Sequence, residues 1–429
     1  MDDRFKSSPL TEEDWEAFRA LHAKPKSPED EAAAPPPGPQ SPTPQLEIFD
    51  VGDEDGNIPP RQWLLGTTFC RRNLSGLISA GAAGKTTVRI VQALSVAADR
   101  SLTGEHVFVR CRVMIICLED DMTELRRRVR AAMLHHKVTP AEVKGFLKLT
   151  TPRGLKIAEL EKTGKVVAGG LYRALVKAID DLKLDIVCID PAIKAHSVRE
   201  NDNPEIDAFA SMLTDLGAEK NIAIDLLSHE RKAGAVNAGD INRSRGAGSQ
   251  KDAQRLAYTL TGMSETEAAT MGVGEDERAF LVRLDNAKVN IAPPSRTATW
   301  FRLVGVNLDN GNALYPNGDN VQTVELWKPA PLFDGLSSAD LNCVLRKLNV
   351  GMSDGRRYSL APAAKDRAAW RAVHEKFPEI AEARCRAIIT AWKNNELFES
   401  GEYDDPVRRT KAVGILSAKL IGLIEDGEE

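Results

Sequence analysis

Four short apolar runs, each leading into polar residues at its carboxyl end, dominate the middle of this chain: LSGLIS (74–79), VMIICL (113–118), DIVCID (185–190) and IAIDLLS (222–228). Strands that read as unbroken apolar runs are buried on both faces, as in parallel sheets covered by helices. The stretches 85–99, 122–136, 169–182 and 204–220 carry helical patterns between them. This alternation predicts an α/β fold built on a parallel sheet. After residue 250 the pattern changes to strand-like runs separated by turns, RLAYTLTGM, RAFLVRLDNA and TATWFRLVGV. They predict an antiparallel extension that makes the sheet mixed. No internal repeat is visible.

The flanks have a different character. Residues 24–44, KPKSPEDEAAAPPPGPQSPTP, are rich in Pro, Ala and acid and have no apolar period, so they cannot repay the entropy of ordering. Residues 1–60 are expected to be an acidic, Pro-rich flexible tail, with TEEDWEAFRALH inside it as one amphipathic helix carrying Trp15, Phe18 and Leu21 on a face. A core over 61–328, a linker at 329–336 and a C-terminal domain over 337–429 complete the expected organisation. That last segment reads as helices followed by a strand pair near LFESGEYDD, a small winged-helix-like domain.

Charge follows the same division. The net charge is −5, yet the first 60 residues hold fourteen Asp/Glu against five Lys/Arg, a balance of −9 that leaves +4 for the rest. A slightly basic body permits nucleic-acid binding without demanding it. Hydrophobic residues make up 42% of the chain, but no apolar run approaches the roughly 18 residues of a membrane span. With no signal-peptide pattern at the start, a cytoplasmic, non-membrane protein is expected. The six cysteines lie far apart with no C-x-x-C pair, which points to buried free thiols.

The chemistry concentrates where the apolar runs end. Ser79-Ala80-Gly81-Ala82-Ala83-Gly84-Lys85-Thr86 fits a phosphate-binding loop except at its first position, where Ser79 replaces glycine. An apolar strand precedes the loop and a helix opens at Lys85, so backbone N–H groups and the helix N-terminus would converge on a phosphate. Ala80 to Thr87 form the expected ATP contact, with Lys85 on the outer phosphates and the Thr86 hydroxyl on Mg²⁺. Asp190, closing the third run, is placed to hold the same Mg²⁺. Glu119, after the second run, is the candidate base for the attacking water, with Asp120 and Asp121 as rivals. Ser228-His229, after the fourth, can sense the outermost phosphate.

These anchors, in this order and spacing, resemble the RepA-type branch of RecA-like P-loop ATPases, found in plasmid replication helicases and in phage and mobile-element proteins. The resemblance covers roughly 60–305. It implies that Arg128, in LEDDMTELRRRV, packs on the adenine, and that Lys232 follows the sensor histidine. Ser228 stands where the family carries the first of two histidines. Arg245-Gly246-Ala247 resembles the family's Arg-Gly-Ser/Ala segment, and IPPRQWL is similar to the segment leading into these proteins' first strand. The fold also implies nucleotide bound between neighbouring subunits of a ring, of six in the type case, with a cation acting in trans. Lys288 resembles that finger, with Arg245 and Arg255 as alternatives.

In this fold the loops after the third and fourth strands line the central pore. Here they are 192–203 and 231–251, with Lys194, Arg199, Arg231, Lys232, Arg243 and Arg245. Cations on mobile loops suit a phosphate backbone, which dominates affinity without reading sequence. Three functions fit: a ring-forming ATP-driven motor on single-stranded DNA, such as a replicative helicase of a phage, plasmid or integrated element; a recombination or strand-annealing ATPase; and a nucleotide-gated regulator or scaffold. Replication or recombination proteins would be its partners.

Overall fold

The computed structural model describes Glu16 and residues 48–229, 253–293, 297–329, 331–361 and 364–421. The amphipathic segment around Trp15 apart from Glu16, the linker 24–44 and the loop 231–251 fall outside these residues. By contact the chain divides into Met1–Pro59 and Pro60–Glu429. The second unit opens with β1 (Trp63–Leu65), β2 (Phe69–Cys70) and β3 (Leu74–Ser79), then α1 (Lys85–Ala98), β4 (Val113–Cys117) and α2 (Met122–His135). Next come β5 (Leu147–Thr150), the hairpin β6 (Ala158–Leu160) and β7 (Val166–Ala168), α3 (Gly170–Leu182), β8 (Ile186–Asp190), α4 (Asn203–Lys220) and β9 (Ala223–His229). β10 (Leu256–Gly262), α5 (Glu265–Met271), β11 (Leu281–Val289), β12 (Thr299–Asn307) and β13 (Asn320–Trp327) follow.

Nine strands make one mixed sheet in the order β13-β12-β11-β10-β3-β9-β8-β4-β5. Strands β10, β3, β9, β8, β4 and β5 are parallel, and β11, β12 and β13 continue antiparallel. The alternation of side chains across each strand builds two cores. Val113, Ile115 and Cys117 of β4, with Ile186 and Cys188 of β8, pack among Val88, Val91 and Leu94 of α1 and Leu125 and Val129 of α2. Met114, Ile116, Val187 and Ile189 point the other way, onto Leu171, Leu175 and Ile179 of α3 and Phe209 and Leu213 of α4. That double burial is why these strands read as unbroken apolar runs.

Two expectations need correction. The run RLAYTLTGM becomes β10, which pairs parallel with β3, Leu256 opposite Ser75 and Leu260 opposite Ser79. The antiparallel part therefore starts one strand later, because the connection after β9 brings the chain back to the edge of the sheet where β3 begins. Of the cysteines, Cys343 is exposed; the others are buried free thiols. Among the described residues no helix is long and apolar enough to cross a membrane.

The C-terminal segment has its own core. Helices α6 (Ser338–Val350), α7 (Trp370–Lys376) and α8 (Glu382–Asn394) precede a hairpin of β14 (Phe398–Asp405) and β15 (Thr410–Ala418). Leu345, Leu348, Val373, Ile388, Trp392 and Ile415 are buried together. The Ile415 N–H donates to the Tyr358 carbonyl at 2.8 Å, tying the hairpin to the segment before α7. Three helices and a two-stranded hairpin thus make up this segment. α8 leans on α5: a Cβ at Gly272, whose φ is +69°, would stand 2.8 Å from the Arg384 Cα.

Candidate nucleotide site

The strand registers align the expected anchors along one edge of the sheet. Ser79 at the end of β3 pairs with His229 at the end of β9, and Cys117 of β4 pairs with Asp190 at the end of β8. Between Ser79 and Lys85 the loop turns through Ala82 at φ +62°, a left-handed conformation uncommon for a non-glycine residue, and Gly84 at φ +90°. A Cβ at Gly84 would also come within 3.0 Å of Leu303. α1 then begins with no side-chain cap and no acid in its first turn. Helices α2 and α4, by contrast, are capped by Asp121 and Asp202. An uncapped N-terminus keeps its N–H groups and its positive dipole end available to an anion.

Three of the anchors meet here. Lys85, only 6% exposed, donates to His229 Nε2 at 3.2 Å and lies 3.8 Å from Asp190 Oδ1. That donation puts the imidazole proton on Nδ1. The Thr86 hydroxyl donates to Asp190 Oδ2, while buried Oδ1 has no hydrogen-bond partner. Burial pushes the Asp190 carboxyl above the usual carboxylate range, against the opposing pull of Lys85 and the Thr86 hydrogen bond. Thr87 is buried in the same turn.

An orphaned carboxylate oxygen beside a hydroxyl is a donor set that fits Mg²⁺, a hard cation that takes oxygen ligands and keeps several waters. Among the described residues no group of three His, Cys, Asp or Glu side chains could hold a metal without help. Thr86 and Asp190 would share the ion with the nucleotide's own phosphate oxygens.

The three neighbouring carboxylates are separated by their partners. Asp121 caps α2, accepting from the Glu124 N–H at 2.9 Å, and that hydrogen bond holds its carboxyl below the usual range. Asp120 pairs with Arg128 at 3.0 Å. Glu119 is exposed and pairs with the Lys194 ammonium at the longer distance of 3.8 Å. The geometry therefore leaves Glu119 freest to move onto a water. Arg128, expected on the adenine, is held by Asp120 and by Glu124 at 3.2 Å.

The remaining candidates lie elsewhere. Lys288 pairs across from Ala257, which is level with Gly76 of β3, and Arg255 stands just before β10. Both lie toward the end of the sheet away from the phosphate loop. Lys194 and Arg199 are on the loop after β8, whose apolar residues pack into the core. Ala192, Ala195 and Val198 are buried, His196 bridges to Ala158, and burial lowers the His196 imidazole to about 4. Arg199 is gripped by Glu205 and lies 3.3 Å from Asp202. Arg231, Lys232, Arg243 and Arg245 are outside the described residues.

A second layer of the site leaves only a faint trace in the sequence. Arg89, 2% exposed, donates twice to Asp225, 0% exposed, at 2.9 Å each, and Ser75 donates to the same carboxylate at 2.7 Å. Arg89 is one helical turn beyond Lys85, and Asp225 is four residues before His229 on the same face of β9. The pair is thus a second rung beneath the Lys85–His229 contact. It continues through Gln92 to Glu105. The trace is a charge inside each apolar pattern, Asp225 within IAIDLLS and Arg89 within α1.

Residues 40–235 match the family model of an AAA domain. The match spans the phosphate loop, Glu119, Asp190 and His229, and it carries nucleotide binding and ATP hydrolysis for this chain. The mixed nine-strand sheet around them is that of a RecA-like P-loop core.

Proposed function

We propose that this P-loop ATPase is a ring-forming motor on single-stranded DNA, a helicase of the RepA type from a phage, plasmid or integrated element. The observation that carries the reading is the contact between Lys194 and Glu119 at 3.8 Å. Lys194 belongs to the loop that would face DNA, and Glu119 is the candidate base. A phosphate backbone that draws Lys194 away releases Glu119 to activate water, so DNA binding and hydrolysis are coupled through one ion pair.

The remaining roles follow from position. The N-terminus of α1 and Lys85 hold the phosphates, and Thr86 and Asp190 hold Mg²⁺, which supplies charge neutralisation on the transferring group. His229, bonded to Lys85 before nucleotide arrives, gives up that bond when the ammonium turns to the outermost phosphate, and so reports its presence to β9 and the segment after it. Lys288, with Arg255 as the alternative, completes the site of a neighbouring copy; its place away from its own phosphate loop supports action in trans.

The test measures ATP hydrolysis with and without single-stranded DNA, together with mass in solution with ATP and unwinding of a forked duplex. Stimulation by DNA, a ring-sized assembly and unwinding are expected. Pairing of complementary strands without unwinding would replace the motor by an annealing ATPase. A rate indifferent to every DNA would leave a nucleotide-gated regulator. An exposed ion pair contributes about 0–1 kcal/mol, so Lys194→Ala should raise basal turnover by no more than about fivefold and blunt the stimulation.

A further inference from the structure

The C-terminal module carries a groove that the nucleotide site does not use. It encloses about 570 Å³ between the segment Ser359–Ala361, the end of α8 and the β14–β15 hairpin. Its lining includes four cations, Arg367, Lys393, Arg408 and Lys411, and no carboxylate. Among the described residues neither Lys393 nor Arg408 has an ion-pair partner, although carboxylates are plentiful on this module. Arg367 is fixed by donating to the Tyr403 hydroxyl at 2.8 Å, and Lys411 has an exposed partner in Asp404 at 3.0 Å.

The hairpin is built to present this charge. Asp405, 1% exposed, accepts from the N–H groups of Val407 and Arg408 at 2.9 Å each, which ties the turn to the end of β14. Its Oδ1 is spent on these N–H groups, and its Oδ2 accepts from the Tyr403 hydroxyl at 3.4 Å, the hydroxyl that takes Arg367, which leaves Lys393, Arg408 and Lys411 unmatched by it. Ala412, Val413 and Gly414 of β15 complete the lining.

We propose that this groove is a second nucleic-acid site, holding a phosphodiester backbone without reading sequence. The proposal rests on the reading of the protein as acting on DNA. Charge-dense contacts from Arg, Lys and hydroxyl groups are how proteins grip phosphates. Protein partners are held chiefly by buried aromatic and other large anchors, and the lining contains no aromatic residue.

The experiment follows binding of the full chain, without nucleotide, to a short labelled single strand and to a duplex across a salt series. Each phosphate that is no longer neutralised reduces the slope of log K against log salt by about 0.7 on a single strand and about 0.9 on a duplex. Lys393→Ala with Arg408→Ala should therefore flatten the slope by about 1.4 or 1.8 on the form the groove holds, with basal ATP turnover and melting temperature unchanged. Arg346→Ala with Lys347→Ala, elsewhere on the module, should leave the slope as it was. Unchanged slope and affinity in the groove variant, or an equal loss of binding to polyglutamate, overturns the proposal. If the wild-type chain binds neither DNA, the reading of the core as a DNA motor falls with it; if the wild type binds and the groove variant binds equally, only the groove falls.

Discussion

Lys85 and Lys393, the two lysines proposed to meet phosphate, stand in opposite surroundings. Lys85 is 6% exposed and already bonded to His229 and paired with Asp190. Lys393 is exposed, with no ion pair among the described residues. The first must place one phosphate to within a fraction of an ångström for chemistry, so its position is over-determined by strand ends, a helix start and a buried second rung. The second needs only to supply charge along a backbone, and a cation free to swing in water does that. Substitutions should therefore act through geometry at the first site and through salt dependence at the second.

The largest break in this comparison is Lys85→Ala. Removing a preorganised cation from the transferring phosphate costs about a hundredfold to a thousandfold in turnover, and nucleotide affinity should fall too. Steady-state hydrolysis and binding of a fluorescent ATP analogue measure both. Turnover at the wild-type rate would remove the phosphate loop from the mechanism.

Glu119→Gln tests the freest carboxylate. A general base supplies about 10²–10⁴ in rate, so the variant should bind ATP and retain it unhydrolysed. Asp120→Asn and Asp121→Asn should act differently, the first by releasing Arg128 and the second hardly at all, since an Asn oxygen caps a helix about as well as an Asp one. If either of them stops turnover while Glu119→Gln does not, the base is another member of the trio.

How much of this is visible in the sequence depends on whether the cause is local. β3, β4, β8 and β9 are legible because each is buried on both faces and its apolar run is its own record. The loop from Ala80 to Gly84 is legible because Gly84 and the strand–helix context are local requirements. β5 and β13 are not, since edge strands half open to water carry no unbroken run. The parallel pairing of β10 depends on where a long connection re-enters the sheet. The order within Glu119, Asp120 and Asp121 is set by Lys194 and Arg128, and the packing of 192–203 by β6, none of which local pattern reveals. Arg89 and Asp225 are 136 residues apart, and each shows in the sequence only as a misplaced charge.

That buried rung is the next test. Asp225→Asn or Arg89→Met leaves a charge alone in the core, which costs about 3–5 kcal/mol of stability by urea denaturation. Replacing both, Arg89→Met with Asp225→Leu, should recover much of that loss. If the pair sets the spacing of Lys85 and His229, turnover stays low in the restored double variant. Full recovery of turnover would make the rung a matter of stability alone.

The smallest effect concerns Asp190 before nucleotide binds. Its folded carboxyl titrates above the ordinary range because burial outweighs Lys85 and Thr86. Below the ordinary carboxylate range both folded and unfolded chains hold the proton, and Asp190 contributes no pH dependence. As pH rises through that range the unfolded chain gives up its proton first, so it binds fewer protons than the fold and stability falls until the raised folded value is passed. Asp190→Asn cannot ionise and lacks this slope. Melting temperatures of the nucleotide-free wild type and variant should then diverge with rising pH, the wild type losing relative to the variant, and Mg²⁺ with ATP should restore the wild type alone by pairing the carboxylate. Profiles that stay parallel from the acid limb to neutrality would mean that Asp190 ionises in the empty site as readily as in water, and that Lys85 offsets its burial in full.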